Sequence, residues 1–116
     1  MPPVAVLFDR GTASSGEVVA VSFAGRDNAR SFGARTYGFT TSNQTFTMPD
    51  GATLVVTTGI EGDRTGRQYP EGVEPDEIVP IVPEGVPVPA TPPAADPQLD
   101  AALGWLLRQP GCSAAP

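Results

Sequence analysis

Residues 4–21 read VAVLFDRGTASSGEVVAV. Val4 to Phe8 is a short, β-rich apolar run of the kind that forms a buried strand. Asp9 to Ala13 is the turn after it. From Ser14 to about Arg26 the pattern is helical, and Val18, Val19, Ala20, Val21, Phe23 and Ala24 leave it little polar face. A strand and a helix this apolar must each be covered by a neighbour, which points to layered α/β packing. At 116 residues the chain is long enough for one domain with a modest core.

The middle of the chain has strand texture. Ser31-Phe32-Gly33 reads as a short strand, and Thr36 to Asn43 as a loop. Gln44 to Met48 alternates, Pro49-Asp50-Gly51 is a turn, and Thr53 to Thr58 is rich in β-branched residues. That order predicts a hairpin. Beyond it, residues 61–84 carry seven acids against Arg64 and Arg67, and half of the 14 prolines fall in 80–97. Residues 83–95 therefore read as an extended Pro-rich linker. Asp96-Pro97 has the form of an N-cap followed by proline at the first helical position. Leu99, Ala102, Leu103, Leu106 and Leu107 follow at helical spacing, with Trp105 beside them, and Pro110-Gly111 stops the run. The expected organisation is a packed unit over 1–82, the linker, an amphipathic helix over 96–109, and a tail over 110–116.

Composition removes several function classes. The net charge is −6, all seven cations are Arg, and His is absent. A chain like this lacks the basic stripe that phosphate binding needs, so nucleic acid is not an expected partner. One cysteine and no histidine leave no thiolate or zinc set, and no cofactor or metal is expected. No apolar stretch approaches the roughly 20 residues that span a bilayer. The compartment is not readable.

Two readings of Ser14-Ser15-Gly16-Glu17 stand side by side. The spacing is that of a capping box, in which the Ser14 hydroxyl and the Glu17 carboxylate each take a backbone N–H. Such a cap contributes about 1 kcal/mol. The same strand–turn–helix junction also presents a hydroxyl beside helix N-terminal N–H groups, which suit a developing oxyanion. The Gly-x-Ser-x-Gly elbow is not met, because Thr12 stands two before Ser14.

Five blocks in order carry a wider resemblance. They are Val4-Ala5-Val6-Leu7 leading to Gly11-Thr12-Ala13-Ser14-Ser15-Gly16-Glu17, Phe32-Gly33-Ala34-Arg35-Thr36-Tyr37-Gly38, Met48-Pro49-Asp50-Gly51, and Gly72-Val73-Glu74-Pro75-Asp76. In these the chain resembles the C-terminal part of the catalytic domain of the tail-specific (C-terminal processing) serine peptidases, tricorn-like branch. The resemblance implies a partial crotonase-like α/β domain and serine-type peptide hydrolysis through an acyl-enzyme. It implies Ser14 as nucleophile and the Ser15 N–H as one oxyanion donor.

In the Ser-Lys branch the base follows the Thr-aromatic-Gly block, and Phe39 occupies that place here. In the tricorn-like branch the base is a His from the preceding half, oriented by a Glu. Glu71 is the first candidate for that carboxylate and Asp63 the second, although a solvated acidic turn is the simpler reading of both. A serine hydroxyl needs an adjacent base, and carboxylates are too acidic for the task. The expectation is therefore a segment inactive by itself, whose partners are the upstream half of the same enzyme and a peptide or protein substrate. The Met1-Pro2-Pro3 start just before the strand fits such an internal position. The alternative is a non-catalytic peptide-binding or regulatory remnant of such a peptidase.

Overall fold

The computed structural model describes residues 1–79, 87 and 96–112. Seven elements follow in order: β1 (Val4–Phe8), α1 (Ser15–Phe23), β2 (Ala29–Gly33), β3 (Thr41–Thr47), β4 (Thr53–Ile60), β5 (Glu77–Ile78) and α2 (Pro97–Leu106). β1, β2 and β5 form a parallel sheet in the order β1-β2-β5, and β3 with β4 forms a separate antiparallel hairpin. The fold is thus mixed α/β. The expected linker at 83–95 lies, apart from Pro87, outside the described residues, as do tail residues 113–116.

The first half is one βαβ unit. β1 pairs with β2 from Val4↔Ala29 to Phe8↔Gly33. Because strand side chains alternate, Val6 and Phe8 share one face while Leu7 shares the other with its register partner Phe32. On the first face Phe8 is buried with Ala20 and Val21 of α1 and with Tyr69 and Val73, and Val6 and Ala24 pack against them. On the second face Phe32 meets Trp105 of α2, ring centroids 6.1 Å apart. One helix therefore covers each face, which is why both apolar runs can be accommodated by so small a sheet.

Both helices depart from the sequence expectation in which face they bury. α1 ends at Phe23, three residues short of Arg26, and only Glu17, Ala20 and Val21 are buried in it. Val18 and Val19 face solvent. α2 starts as expected, with the Asp96 carboxylate accepting from the N–H groups of Gln98 and Leu99, both at 3.0 Å. Its buried residues are Gln98 and Ala102, whereas Leu99, Leu103 and Leu107 are exposed. The stripe of leucines sets the helical period. The docked face is rotated from it because Trp105 reaches Phe32 and a small residue, Ala102, permits close approach to the sheet.

The hairpin matches the expected position and extends it by three residues at the start of β3 and two at the end of β4. Its Pro49-Asp50-Gly51 turn is closed by the Met48 N–H donating to the Ala52 carbonyl at 2.8 Å. All of β3, and all of β4 except half-buried Gly59, is exposed. Its strands are held by the ladder and by cross-strand pairs such as Thr57 Oγ1 to Asn43 Oδ1, 2.8 Å. Among the described residues no helix is long and apolar enough to cross a membrane.

Gly33 ends β2 at φ 137°, and a Cβ there would overlap the Phe8 carbonyl oxygen, to which the Ala34 N–H also donates. A side chain would push β2 off β1 where the sheet hands over to the next block. Gly33→Ala is expected to destabilise the chain by about 3 kcal/mol or more, read as a fall in the urea midpoint at pH 7. Gly51→Ala is the control. Gly51 lies in an open turn, with no atom within 4 Å of the place a Cβ would take, so the substitution there costs only the backbone strain, about 1–2 kcal/mol.

Candidate functional site

The junction between β1 and α1 is tied down on both sides. The Asp9 carboxylate accepts from the Gly11 N–H at 2.8 Å, and the Thr12 N–H donates to the Asp9 carbonyl at 2.9 Å. Ser14 follows as the N-cap of α1, with φ 52° and ψ −117°. It is the one non-glycine residue with positive φ among the described residues. An L-residue with a side chain occupies this region at a cost of about 1–3 kcal/mol.

The capping-box pair is in place, but its two halves are unequal. The Ser14 N–H donates to Glu17 Oε2 at 2.8 Å. In the other half the Glu17 N–H goes to the Ser14 carbonyl, also at 2.8 Å, and the Ser14 hydroxyl makes no side-chain cap hydrogen bond. Ser14 is exposed at the helix start, with its side chain on the Glu17 N–H side as the capping box places it. Ser15, the first residue of α1, is exposed as well. The Gly16 N–H is taken by the Ala13 carbonyl at 3.0 Å. Among the described residues no hydrogen bond occupies the Ser15 N–H.

Glu17 is the centre of the site and is 0% exposed. Its Oε1 accepts from Thr36 Oγ1 at 2.6 Å and from the Gly38 N–H at 2.7 Å. Burial pushes its carboxyl up, but the hydrogen bonds from Thr36, Gly38, Ser14 and Phe39 outweigh this and hold it below the usual carboxylate value. The network runs on. The Thr36 hydroxyl accepts from the Val73 N–H at 2.8 Å, and the Thr36 N–H donates to the Val73 carbonyl at 3.1 Å. Gly72 sits at φ 99°, and a Cβ there would come within 2.9 Å of Thr36 Oγ1. A glycine is required for Val73 to approach Thr36 this closely.

The two carboxylates singled out in the sequence take partners other than Thr36, Gly38 and Ser14. Glu71 is 81% exposed at its side chain and pairs with Arg35, 3.1 Å. Asp63 organises its own turn. Its Oδ1 takes the Thr65 N–H and hydroxyl at 2.8 and 2.6 Å, and its Oδ2 takes the Tyr69 hydroxyl at 2.7 Å. Hydrogen bonds from Thr65 and Tyr69 hold its carboxyl down to about 2. Burial, then the bond to Asp63, pushes the Tyr69 phenol up to about 12.

One carboxylate that carries no motif stands apart. Glu61 Oε2 is buried without a hydrogen-bond partner among the described residues. Burial, and then the nearby Glu17 charge, push its carboxyl up. Its position just before the Asp63 turn gives no sequence signal of this. Among the described residues no group of three or more His, Cys, Asp or Glu side chains is placed to hold a metal ion.

The geometry defines a class: a mixed α/β segment that displays an exposed serine on a strained strand-to-helix turn. The family model for Peptidase family S41 matches residues 1–79, and the chain belongs to that family. It is similar to the nisin-resistance protein of Lactococcus lactis subsp. lactis, 43% identical over 67 residues, covering 58% of this chain and 21% of that protein. Among solved structures it is similar to a lipoprotein from Streptococcus agalactiae (37% identity, TM-score 0.64, 90% of this chain and 31% of that one). It is also similar to the photosystem II D1 C-terminal processing protease (32% identity, TM-score 0.59, 73% of this chain and 22% of that one). The resemblance to tail-specific peptidases read from the ordered blocks is borne out. The chain spans about a fifth to a third of the length of these relatives.

The Glu17 network has a pH signature. Its folded-state pKa lies below the ordinary value of 4.5, so its contribution is present above about pH 4.5 and is lost as pH falls through the folded value. Glu61, with a raised pKa, has the opposite sign: its ionisation costs stability as pH rises above its ordinary value. Asp63 adds an acid limb of the same sign as Glu17. Glu17→Gln should lower stability at pH 7 by about 3 kcal/mol or more, since it weakens several buried charge-assisted bonds. It should also flatten the fall between about pH 5 and pH 3. Urea midpoints across that range and up to neutrality for wild type, E17Q and D63N check both statements.

Proposed function

We propose that this segment supplies the nucleophile of a serine-type peptidase. The observation that carries the reading is Ser14 at φ 52° and ψ −117°, exposed at the start of α1. Strain of this kind persists only where surrounding contacts fix it, and here Glu17 fixes it through the Ser14 N–H. Family membership and the likeness to a C-terminal processing protease support the same reaction class.

In the proposed reaction Ser14 Oγ attacks the scissile carbonyl carbon while its proton passes to a base. The carbonyl oxygen becomes an oxyanion, and the Ser15 N–H at the start of α1 donates to it. Collapse breaks the C–N bond, the amine leaves with the proton, and water then hydrolyses the ester at Ser14. The base and a second oxyanion donor come from outside residues 1–116, since the chain contains neither His nor Lys. Residues 1–82 are then the C-terminal part of a crotonase-like catalytic domain, and the helix within 96–109 closes its second sheet face. Glu71, paired with Arg35, is the proposed carboxylate that would orient a His supplied from outside these residues.

The test is labelling by a fluorophosphonate. A full reading frame containing this segment should label at Ser14, and Ser14→Ala should abolish labelling without a change in stability beyond about 1 kcal/mol. The 116-residue chain alone should label at least about 100-fold more slowly, for want of a base. Labelling elsewhere, or none at Ser14 in the full frame, would leave the non-catalytic remnant as the correct reading.

A further inference from the structure

Two acids meet at the loop that follows β2. Glu17 is 0% exposed, and Glu61 Oε2 is enclosed with no hydrogen-bond partner among the described residues. The loop from Thr36 to Thr40 joins them. At its start the Thr36 hydroxyl and the Gly38 N–H donate to Glu17 Oε1. At its end the Thr40 carbonyl accepts the Glu61 N–H at 2.8 Å. Thr40 is itself 0% exposed, its hydroxyl donates to the Tyr69 carbonyl, and the Tyr69 N–H donates to the Glu61 carbonyl at 3.2 Å. Both acids are thus fixed to one short stretch of backbone. The charged groups on the surrounding segments are turned elsewhere. The Asp63 carboxylate takes the Thr65 and Tyr69 hydroxyls, and the Arg67 guanidinium lies over the Tyr69 ring. Arg64 lies beside Gly25, and Arg35 pairs with Glu71 and Glu74. Glu17 is left as the charge that acts on Glu61.

The two carboxyls are unequally served. Glu17 has donors from Ser14, Thr36 and Gly38, enough to carry a charge in the interior. An enclosed carboxyl oxygen without a donor is tolerable on the neutral acid and costly on the anion. Two like charges this near each other away from water disfavour one another further. We propose that Glu61 is a positioning residue for the serine turn: while it carries its proton, Glu17 is the single buried charge and holds the Ser14 N–H, and when it ionises that hold weakens. The route is through Glu17. A second charge at Glu61 drives Glu17 to take up a proton or moves the Thr36–Thr40 loop away from it. Either change weakens the charge-assisted bond from the Ser14 N–H, 2.8 Å, that fixes the turn at φ 52°. As a statement about catalysis this rests on the reading of Ser14 as nucleophile; as a statement about the turn it stands on the two acids alone.

The measurement is carboxyl and amide NMR on the 116-residue chain, titrated from about pH 3 to about pH 9. The Glu61 carboxyl should titrate above its ordinary 4.5. The Ser14 and Gly38 amides should shift with it, in a step separate from that of Glu17. Glu61→Gln should abolish that step, and Glu17→Gln should bring the Glu61 titration closer to 4.5. Glu61 binds its proton more tightly folded than unfolded, so its contribution is present below the ordinary value and is lost as pH rises through the folded one. The urea midpoint of E61Q relative to wild type should therefore rise between about pH 4 and about pH 8. In the full reading frame, the fluorophosphonate labelling rate of E61Q relative to wild type should rise at least about threefold over the same range. A Glu61 carboxyl that titrates at or below 4.5, or Ser14 and Gly38 amides that do not follow it, would overturn the proposal. A buried acid with a structural role alone would move the midpoint and leave the Ser14 amide still. Coupled amide steps without labelling at Ser14 would sink only the nucleophile reading. Labelling with the same pH profile in wild type and E61Q would sink only the positioning role.

Discussion

The carboxylate of Glu17 is the constraint on which the rest of this structure depends. It is buried in a chain with little apolar mass around it, and an isolated buried charge would be strongly unfavourable. What makes it tenable is that its donors come from two separate stretches of chain: the Ser14 N–H on one side, and the Thr36 hydroxyl and Gly38 N–H on the other. Bonds of this charge-assisted kind are worth about 1.5–3 kcal/mol each. Taken together they exceed the roughly 1–3 kcal/mol of strain at Ser14. The strained turn is thus held by the network around it and not by its own sequence.

The same network explains why well-separated blocks of the sequence belong together. Thr36 carries the connection from Glu17 to Val73, and Gly72 is a glycine because Thr36 leaves it no room for a Cβ. Asp76 then takes the Ser31 N–H and hydroxyl, both at 2.8 Å, and so brings β5 alongside β2. The serine turn, the Thr-aromatic-Gly loop and the Gly-Val-Glu-Pro-Asp segment are one hydrogen-bonded assembly. The motifs stand in this order because each supplies donors or space that the next requires.

Much of the local structure is legible from residues. The β1–turn–α1 junction, the hairpin turn at Pro49-Asp50-Gly51 and the Asp96-Pro97 start of α2 all lie where turn and cap chemistry put them. Local pattern fails where packing decides. Val18 and Val19 look like core and are exposed, and the leucine stripe of α2 gives the period but not the docked face. The capping-box spacing at Ser14 holds as geometry, and its firm bond is the one from the Ser14 N–H to Glu17 Oε2. The remaining Glu17 oxygen is claimed by Thr36 and Gly38, 19 and 21 residues away. Glu61 offers no pattern at all, since a lone acid before an acidic turn looks solvated until the chain folds over it.

By itself the sequence determined the family, the presence of a serine at a strand-to-helix junction, and the lack of any His or Lys to activate it. Those follow from residue identity and local spacing, which folding does not alter. Only the tertiary structure decided that Ser14 is held exposed at positive φ, that Glu71 pairs with Arg35, and that Thr36 and Gly38 bind the same carboxylate as the serine N–H. Each of those depends on which groups from distant segments meet in space. That competition is settled by three-dimensional proximity, which no local window of sequence contains.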